Sequence, residues 1–459
     1  MTVISRNPST GETLGTFDSA TKVEVEAVVS RSRSAQERWA KLALADRRQY
    51  FDRLKSILEQ EVSNILELVK LETGRVIPDG EAEVYDVIDG IRYYSEEAER
   101  WTGSIPFKLN EEALPNTQGK LEYIPLGVIG LIMPWNFPFY SPGMFAIAAT
   151  MAGNGVVIKP SEYSTMVGIK IGELFERSGF PHGLVSVVAG ADDTGVALSR
   201  SPVDKIFFVG SVETGRQVIS NAGGTPVQVE LGGNSAALVL KDVDLELAAQ
   251  GVAWGATYHS GQDCVGIKRI FVDKAVSKEF IARLMEIVSG LRQGVDYGPY
   301  ISRKARDNVA SRIQAAVGPG AQLLVGGEQR DPGYWLTPSV LLLKDLSSEL
   351  VRKETFGNVA PVIEVASTEE AIKLANSTGY GLSNAIFCKD EAIALEVARR
   401  LEAGMTFIND PLMSFPGGDH WTGWKDSGVG TVETKYAQCL KKRVITVNRG
   451  NARSFWYPY

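Results

Sequence analysis

Residues 155–190 read GVVIKPSEYSTMVGIKIGELFERSGFPHGLVSVVAG, two short β-branched runs that enclose a longer stretch. The enclosed stretch repeats apolar residues at helical spacing from Val167 to Phe175 and is followed by a glycine. Two more β-branched runs, KIFFVGS (205–211) and VQVELGG (227–233), enclose another helical pattern. Because alternating strands and helices form parallel sheets with right-handed crossovers, we predict an α/β fold whose ligands lie beyond the carboxyl ends of the strands.

Regular patterns also occur on both sides of this unit. The first hundred residues read as helical, with apolar residues at helical spacing over 22–42 and 46–75 and a glycine stop at Gly74. Six short apolar runs beyond the unit alternate with helical stretches and predict a second α/β unit. They are AALVL (236–240), RIFV (269–272), QLLVGG (322–327), APVIEV (360–365), NAIFC (384–388) and MTFIND (405–410). The tail CLKKRVITVNR (439–449) is predicted to be a lone strand that pairs with a distant segment or with another subunit.

The composition is that of a soluble protein with more than one domain. With 459 residues the chain is too long for a single hydrophobic core, and its 44% hydrophobic and 22% charged residues are ordinary values. A net charge of −7 with interspersed signs gives no reason to expect a nucleic-acid surface. Three cysteines without CxxC spacing favour a reducing compartment over a disulfide framework, and no secretory signal is present, so we expect a cytoplasmic protein.

The stretch 123–158 has no charged residue and could be mistaken for a membrane span. A membrane span requires roughly 20 unbroken apolar residues. Pro125, Pro134, Pro138 and Pro142 interrupt the stretch. A buried strand–loop–helix passage in a soluble protein therefore fits it better than a membrane helix.

Several familiar catalytic signatures are absent from the sequence. Only three histidines occur, without HxxxH spacing, and the lack of CxxC also argues against a zinc site. There is no GxSxG elbow, and no GxGxxG follows a strand, so the usual dinucleotide fingerprint is missing.

Three residues with catalytic potential stand at turns and strand ends. Cys264 lies in the polar, glycine-rich turn YHSGQDCVG, where a thiolate of lowered pKa would be a good nucleophile and a buried structural cysteine is an equal alternative. Glu230 ends a strand ahead of two glycines and suits either a general base or a solvated strand-end residue. Asn136, in MPWNFPF, suits either an oxyanion donor or a turn between prolines. Cys388 and Cys439 are expected in packed positions.

Four further positions suit a nucleotide. Lys159 and Glu162, in IKPSE, follow the first strand of the alternating unit, where a ribose or phosphate would lie. Gly210 and Ser211 follow the third strand, and Ser211 would cap a helix whose N-terminus suits a pyrophosphate. A plain polar loop and ordinary helix capping are the alternatives.

The candidate residues lie in short segments whose order and spacing along the chain are more informative than any single residue. The segments MPWNFPF, IKPSE, FVGSVETG, VELGGNSA, SGQDCVG, ETFGNVAPV and GWKDSGVG follow one another along the chain. With them the chain resembles the non-acylating, NAD(P)-dependent members of the aldehyde dehydrogenase superfamily over nearly its whole length. The 34 residues from Glu230 to Cys264 and the 23 from Asn136 to Lys159 are separations similar to those of the family.

The resemblance implies a mechanism. Cys264 is the nucleophile that forms a thiohemiacetal and then a thioester, and the Asn136 amide and the Cys264 backbone N–H hold the oxyanion. Glu230 activates the water that releases the acid. The implied cofactor is NAD, with NADP possible, because the Glu162 carboxylate would accept hydrogen bonds from ribose hydroxyls and repel a 2′-phosphate. The implied cofactor-binding residues are Ile132, Pro134, Trp135, Lys159, Glu162, Gly210, Ser211, Gly232, Glu354 and Phe356.

By position, the implied substrate tunnel is aromatic and apolar, with no arginine or lysine. Its residues are Phe137, Tyr140, Met144, Thr257, Tyr258 and Trp421. We therefore expect an apolar aldehyde, aromatic or medium-chain aliphatic. The segments ETFGNVAPV and VELGGNSA resemble relatives that act on semialdehydes as well as on benzaldehyde-type substrates, so a semialdehyde is the alternative.

Four positions depart from the family's pattern. Val209, His259 and Asn358 replace a threonine, an asparagine and a proline, respectively. Phe145 replaces a basic residue that is sometimes assigned to proton relay, which leaves the proton exit route open.

Three other classes of protein compete with this interpretation. A dehydrogenase that acylates coenzyme A would generally lack the Glu230 base. A cysteine hydrolase would have to pair Cys264 with His259, five residues away in the same turn, which is poor geometry. A non-catalytic relative would often lose the cysteine.

The resemblance also implies the domain organisation. Residues 1–106 and 126–232 would form a Rossmann-type cofactor domain, and 233–433 an α/β catalytic domain. Residues 107–125 and 434–450 would form a small β oligomerisation arm that pairs across subunits in a homodimer or homotetramer. No nucleic acid or membrane is expected as a partner.

Overall fold

The computed structural model describes residues 2–411, 420–431 and 433–450, and within these ranges the chain forms thirteen α-helices and twenty-one β-strands. The helices are α1 (Lys22–Trp39), α2 (Leu44–Thr73), α3 (Ile77–Arg100), α4 (Tyr140–Met151), α5 (Thr165–Arg177), α6 (Asp192–Ser199), α7 (Val212–Asn221), α8 (Leu245–Thr257), α9 (Ser277–Ser289), α10 (Arg303–Val317), α11 (Glu349–Arg352), α12 (Thr368–Ala375) and α13 (Glu391–Ala398). The strands are β1 (Thr2–Arg6), β2 (Thr13–Asp18), β3 (Ser104–Phe107), β4 (Thr117–Pro125), β5 (Val128–Ile132), β6 (Gly155–Lys159), β7 (Val185–Val187), β8 (Lys205–Gly210), β9 (Val227–Leu231), β10 (Ser235–Val239), β11 (Ile267–Asp273), β12 (Gln322–Val325), β13 (Gln329–Arg330), β14 (Trp335–Leu336), β15 (Ser339–Leu342), β16 (Val359–Val365), β17 (Tyr380–Gly381), β18 (Ser383–Phe387), β19 (Met405–Ile408), β20 (Trp424–Lys425) and β21 (Leu440–Asn448).

A parallel five-stranded sheet runs in the order β7-β6-β5-β8-β9. The order reverses at β5, because β6 and β7 extend the sheet on one side while β8 and β9 extend it on the other. Such a switch point opens a crevice beyond the carboxyl ends of the strands, where ligands of open α/β sheets bind. Strand β5 precedes GVVIKP, so Lys159 ends the second strand of this sheet in chain order; the expectation that it ends the first was wrong.

Alternate residues of the central strand β5 enter two cores. Ile129 and Leu131 face the core formed with α2 to α5, whereas Val128 and Ile132 face the core formed with α6, α7 and the start of α1. The predicted apolar face of α5, from Val167 to Phe175, is buried in the first of these cores, which confirms the helical pattern in the sequence.

Local capping interactions set the start of helix α1 and the end of helix α2. Helix α1 starts with a capping box in which the Thr21 hydroxyl accepts from the Glu24 N–H and the Glu24 carboxylate accepts from the Thr21 N–H. Helix α2 ends at Gly74, which adopts φ +74°. The predicted glycine stop is therefore confirmed.

The seven-stranded sheet has the order β12-β15-β16-β11-β10-β18-β19, and β12 alone in it runs antiparallel to its neighbour. All six apolar runs predicted for the second α/β unit form strands of this sheet. The sequence interpretation did not identify β15, which inserts between β12 and β16. The α/β fold class is thus confirmed for both units.

The first hundred residues are not all helical, and this expectation is corrected. Strands β1 and β2 form an antiparallel pair around the segment 7–12. The Asn7 side chain accepts from the Ser9 N–H at 2.9 Å, and Gly11 takes φ +84°, so the segment turns tightly and returns the chain.

The tail strand β21 pairs with a distant segment of the same chain. It runs antiparallel to β4 over nine residue pairs, from Leu440 opposite Pro125 to Asn448 opposite Thr117, and β3 lies on the other side of β4. The three strands form a sheet separate from the two large ones. The domain boundaries given above stay a prediction.

None of the helices in the described ranges combines the length and apolar content of a membrane span. The three cysteines are unbridged, and Cys388 and Cys439 are buried. Among the same residues, no three or more His, Cys, Asp or Glu side chains are grouped as metal ligands would be.

Candidate active site

Cys264, Glu230 and Asn136 come from distant parts of the sequence and line one cavity. Glu230 lies on β9, Asn136 lies in the passage between β5 and α4, and Cys264 lies in the turn ahead of β11. The cavity has room for the centre of a water-sized sphere over about 90 Å³. The three residues singled out for chemistry therefore face a common space.

Five of the six residues expected in the substrate tunnel line the same cavity. They are Phe137, Tyr140, Met144, Tyr258 and Trp421. Thr257 is not among the lining residues; its hydroxyl donates to the Ala253 carbonyl of its own helix at 2.7 Å. The wall is mainly aromatic and apolar, as the sequence predicted.

The cavity also has charged lining residues that the sequence interpretation did not select: Glu83, Asp86, Asp263 and Lys435. The Lys435 ammonium lies 5.1 Å from the centre of the Phe145 ring, where cation–π attraction operates. The prediction of a wall without a lysine therefore missed one. Apart from Asp263, which adjoins Cys264 in the chain, nothing in the sequence indicates that these side chains reach the cavity.

The turn that carries Cys264 has an unusual backbone. His259, Ser260 and Gly261 take φ values of +47°, +57° and +68°, a left-handed run that costs strain at the two non-glycine residues. A Cβ on Gly261 would lie 2.1 Å from the Gly357 carbonyl oxygen, so the turn packs directly on the ETFGN segment. The His259 N–H donates to the Asp79 carboxylate at 3.0 Å and helps to hold this conformation.

The two glycines of VELGG allow close approach, as expected from the sequence. A Cβ on Gly232 would lie 2.2 Å from Glu354 Oε2, and one on Gly233 would lie 2.4 Å from the Cys264 carbonyl oxygen. The Ser427 hydroxyl donates to the Gly232 carbonyl at 2.8 Å. The GWKDSGVG segment thus braces the strand end that carries Glu230.

A buried ion pair positions the passage that carries Asn136. Arg75 and Glu83 form a salt bridge with both side chains inaccessible to solvent. The Glu83 carboxylate also accepts from the Phe139 and Tyr140 N–H groups at 2.6 and 2.8 Å, at the start of α4, and Arg75 stacks over the Phe137 ring at 4.3 Å. These two residues, which the sequence interpretation did not select, fix the entry into α4.

Burial raises the pKa of the Cys264 thiol well above its ordinary value, and the carboxylates of Asp263, Glu354 and Glu230 act in the same direction. The Lys268 ammonium acts in the opposite direction. The thiol also hydrogen-bonds the Asp263 side chain, which lowers the pKa of that carboxyl against the effect of its burial. The thiol is therefore protonated in this arrangement unless a nearby charge changes.

His259 does not have the environment of a base for Cys264. Burial lowers its pKa well below the ordinary value, and Arg75 and Lys268 add to the shift, so the ring is uncharged near neutral pH. The ring lies edge-on to Trp135 and Phe137, at centroid distances of 6.2 and 6.4 Å. This geometry gives no support to a Cys–His hydrolase.

The crevice beyond the five-stranded sheet collects groups that suit a dinucleotide. Lys159 ends β6, and its ammonium lies 3.9 Å from the half-exposed Glu162 carboxylate. Gly210 ends β8, and the Ser211 hydroxyl caps α7 by accepting from the Thr214 N–H at 3.2 Å. The switch point thus has three groups that suit a dinucleotide. They are a cation, a carboxylate that can accept from hydroxyls, and a helix N-terminus that can bind phosphate. Ile132 and Pro134, at and beyond the end of β5, lie at the same edge of the sheet.

The remaining residues of the expected cofactor set form two separate contacts. The Trp135 and Phe356 rings lie edge to face at 5.6 Å. Glu354 is half-buried beside Gly232 and accepts from the Gly233 N–H at 3.1 Å. Burial raises the pKa of Glu354 to about 7, while Lys268 opposes the shift.

Known proteins are similar to this chain over most of its length. The model of the aldehyde dehydrogenase family matches residues 1–443. The chain is 34% identical over 437 residues to the 4,4'-diapolycopene aldehyde oxidase of Methylomonas sp., covering 94% of this chain and 82% of that protein. It is 31% identical over 428 residues to succinate-semialdehyde dehydrogenase [NADP(+)] 1 of Mycobacterium tuberculosis, covering 91% and 93%.

Among solved structures, the fold is similar to that of betaine aldehyde dehydrogenase from Staphylococcus aureus in complex with NAD+. The TM-score is 0.94 at 29% sequence identity, and the match covers 100% of this chain and 94% of that one.

Proposed function

The chain belongs to the aldehyde dehydrogenase family, and from this premise we propose that it oxidises an apolar aldehyde to the carboxylic acid with NAD+. The observation that carries the proposal is that Cys264, Glu230 and Asn136 line one cavity whose wall is mainly aromatic and apolar. A nucleophile, a base and an amide donor around one space are the groups that covalent aldehyde oxidation requires.

In the first half of the proposed reaction, the Cys264 thiol loses its proton to solvent, and the thiolate attacks the aldehyde carbon, so that a C–S bond forms. The carbonyl oxygen becomes an oxyanion, to which the Asn136 amide donates a hydrogen bond. Loss of one such donor typically costs about 10²–10³ in kcat, so Asn136→Ala is expected to be slow but folded.

The C–H bond of this adduct then breaks, the hydride leaves and the C=O bond re-forms, which gives the thioester. In the second half, Glu230 takes a proton from the water that attacks the thioester carbon. The C–S bond then breaks, the acid is released, and Cys264 leaves as a thiolate. Because the thiolate regenerates beside Asp263 and Glu354, its stabilisation matters in both halves of the cycle.

The residues at the sheet crevice fit the dinucleotide. Lys159 and Glu162 would hold the adenosine ribose, the α7 N-terminus with Gly210 and Ser211 would lie at the pyrophosphate, and Glu354 with Phe356 and Trp135 would hold the nicotinamide end. When bound, NAD+ supplies the acceptor for the hydride that leaves the substrate carbon. The Glu162 carboxylate favours NAD+ over NADP+, because it accepts from ribose hydroxyls and repels a 2′-phosphate.

An aldehyde panel assayed with NAD+ and with NADP+ tests the proposal. Benzaldehyde, a medium-chain aliphatic aldehyde, betaine aldehyde and succinate semialdehyde are compared by kcat/KM from reduced-cofactor formation. We expect the highest values for the first two with NAD+. A best value for succinate semialdehyde, or a clear NADP+ preference, would overturn the substrate or the Glu162 assignment, respectively.

One observation favours a semialdehyde as the second candidate. Lys435 lines the cavity and could face a carboxylate at the far end of such a substrate. If the panel favours succinate semialdehyde, Lys435→Met should raise its KM and leave that of benzaldehyde unchanged. Turnover that depends on added coenzyme A would instead indicate the acylating reaction, against which Glu230 argues.

A further inference from the structure

Lys268 is a buried cation that the mechanism above does not use. It is the second residue of β11, its side chain is fully buried, and it is not among the residues that line the cavity. Burying an ammonium costs several kcal/mol unless other groups compensate for the lost water. The surroundings of Lys268 must therefore supply that compensation.

The first compensating group is the backbone of the strained turn. The Lys268 ammonium donates to the Gly261 carbonyl at 2.6 Å. Gly261 ends the left-handed run that precedes Cys264 by three residues. A Cβ on Gly266 would lie 2.7 Å from Lys268 Nζ, so a glycine at 266 leaves room for the ammonium. Lys268 thus anchors the turn at Gly261, and the Asp79 contact holds it at His259.

The second compensating group is the set of carboxylates around the thiol. The charges of Asp263, Glu354 and Glu230 act on Cys264, and the charge of Lys268 acts on Asp263, Glu354 and Cys264 alike. Each of the three carboxylates opposes a negative charge on sulfur. A thiolate in this place needs a nearby cation. Burial lowers the pKa of Lys268, while the Asp263 and Glu354 carboxylates raise it and favour the charged ammonium.

We propose that Lys268 is a positioning residue for Cys264: its ammonium holds the Gly261 carbonyl and supplies the positive charge that allows a thiolate to form among three carboxylates. The inference rests on the proposed function only for the role of Cys264 as nucleophile. It concerns a residue that is not among those that line the cavity.

Alkylation of Cys264 by iodoacetamide tests the proposal without substrate or cofactor. The rate is measured on the full-length protein between about pH 6 and pH 10 by mass spectrometry of the peptide that contains Cys264, with the buried Cys388 and Cys439 as internal references. Lys268→Met removes both the donor and the charge, whereas Lys268→Gln retains a donor and removes the charge. Lys205→Met is the matched control, because Lys205, which is half-buried, likewise donates to a backbone carbonyl, that of Gln438 at 2.9 Å.

We expect both Lys268 variants to move the midpoint of the pH profile upward by about one unit or more, so that the alkylation rate near pH 8 falls about tenfold or more. Lys205→Met should keep the wild-type midpoint. Wild-type midpoints in both Lys268 variants would overturn the proposal. A midpoint restored by Gln but not by Met would overturn the charge role, because the donor alone would then suffice.

If the single Lys268 variants do not fold, a second pair of variants tests the same proposal. Asp263→Asn combined with Lys268→Met removes a carboxylate together with the ammonium, and its midpoint is compared with that of Asp263→Asn alone. A midpoint about one unit higher in the double variant supports the proposal, and equal midpoints overturn it. Since no dehydrogenase assay enters, a wild-type chain without aldehyde oxidation would refute the proposed function and leave this result standing.

Discussion

At the scale of single residues, the protonation state of Glu354 bears on its proposed contact with the nicotinamide ribose. Its pKa is raised to about 7, first by burial, with Lys268 and the Gly233 N–H opposing the shift. The group is therefore neutral below about pH 7 and ionised above it. A carboxylate accepts hydrogen bonds from ribose hydroxyls more strongly than a neutral carboxyl does.

We therefore expect the affinity for NAD+ to rise by up to about tenfold between about pH 6 and pH 8, as ionisation of Glu354 proceeds. Glu354→Gln should remove most of this pH dependence and bind NAD+ with the weaker affinity throughout. Calorimetric titration of the two proteins with NAD+ measures both effects. Parallel pH dependence in wild type and Glu354→Gln would show that another group controls binding.

Glu230 gives a second residue-scale prediction. If it serves as the base for hydrolysis of the thioester, Glu230→Gln should retain the pre-steady-state burst of reduced cofactor and lose about 10²–10⁴ in steady-state rate. Stopped-flow absorbance with the best aldehyde of the panel separates the two phases. Loss of the burst would instead assign Glu230 to activation of the Cys264 thiol.

The same residues show the limits of sequence reasoning at this scale. Cys264, Glu230 and Asn136 were selected because each stands in a short segment with a recognisable residue pattern. Lys268 stands in an ordinary strand sequence, IKRIFV, where a lysine is expected on a solvated face. Only the packing of β11 inside the seven-stranded sheet converts it into a buried charge.

At the scale of elements, the start of α4 depends on a side chain from another helix. Helix α4 has no side-chain cap of its own, and Glu83 of α3 accepts from two of its N-terminal N–H groups while pairing with Arg75. A carboxylate at a helix N-terminus is favourable, and a guanidinium left alone in the interior is not.

Glu83→Ala should therefore lower the free energy of unfolding by about 3–5 kcal/mol and should reduce activity by releasing the passage that carries Asn136. Urea unfolding followed by intrinsic fluorescence measures the stability. Glu96→Ala is the control, because Glu96 pairs with Arg92 at 3.1 Å on the exposed face of the same helix and should cost no more than about 1 kcal/mol. A similar loss in both variants would contradict the structural role of the buried pair.

Most elements could be predicted from local patterns, and the exceptions have physical reasons. Local sequence patterns are sufficient to predict the apolar face of α5 and the buried strands β6 and β8, because each pattern lies within one short stretch. The hairpin β1–β2 was missed although Asn7 and Gly11 are turn residues, because its strands are short and only partly buried. Strand β15 was missed because four residues after a proline carry little periodicity.

At the scale of the whole molecule, β21 is an edge strand with exposed apolar residues. It occupies one end of the order β21-β4-β3, and its Val444 and Val447 are 57% and 37% exposed. Such an edge is a template for pairing with another chain. Pairing of this sheet across subunits, as the family resemblance implies, would cover it.

We therefore expect light scattering after size-exclusion chromatography to give two or four times the mass of one chain. Val444→Asp should shift the population towards smaller species, because a charge would face the new interface. Val23→Asp introduces the same charge at an exposed position near the start of α1 and should leave the mass unchanged. A monomeric wild-type chain would refute the role of the β21 edge.

The sequence by itself determined the α/β alternation, the order of the seven segments and hence the family, and it predicted which residues serve as nucleophile, base and amide donor. These follow from periodicity and residue type, which are properties of short stretches. The tertiary structure decided which charges are buried together: Arg75 with Glu83 at the start of α4, Lys268 beneath the Cys264 turn, and Lys435 in the cavity wall. The reason is physical, since the energy of a charge depends on how much water the fold removes around it and on which distant segments replace that water.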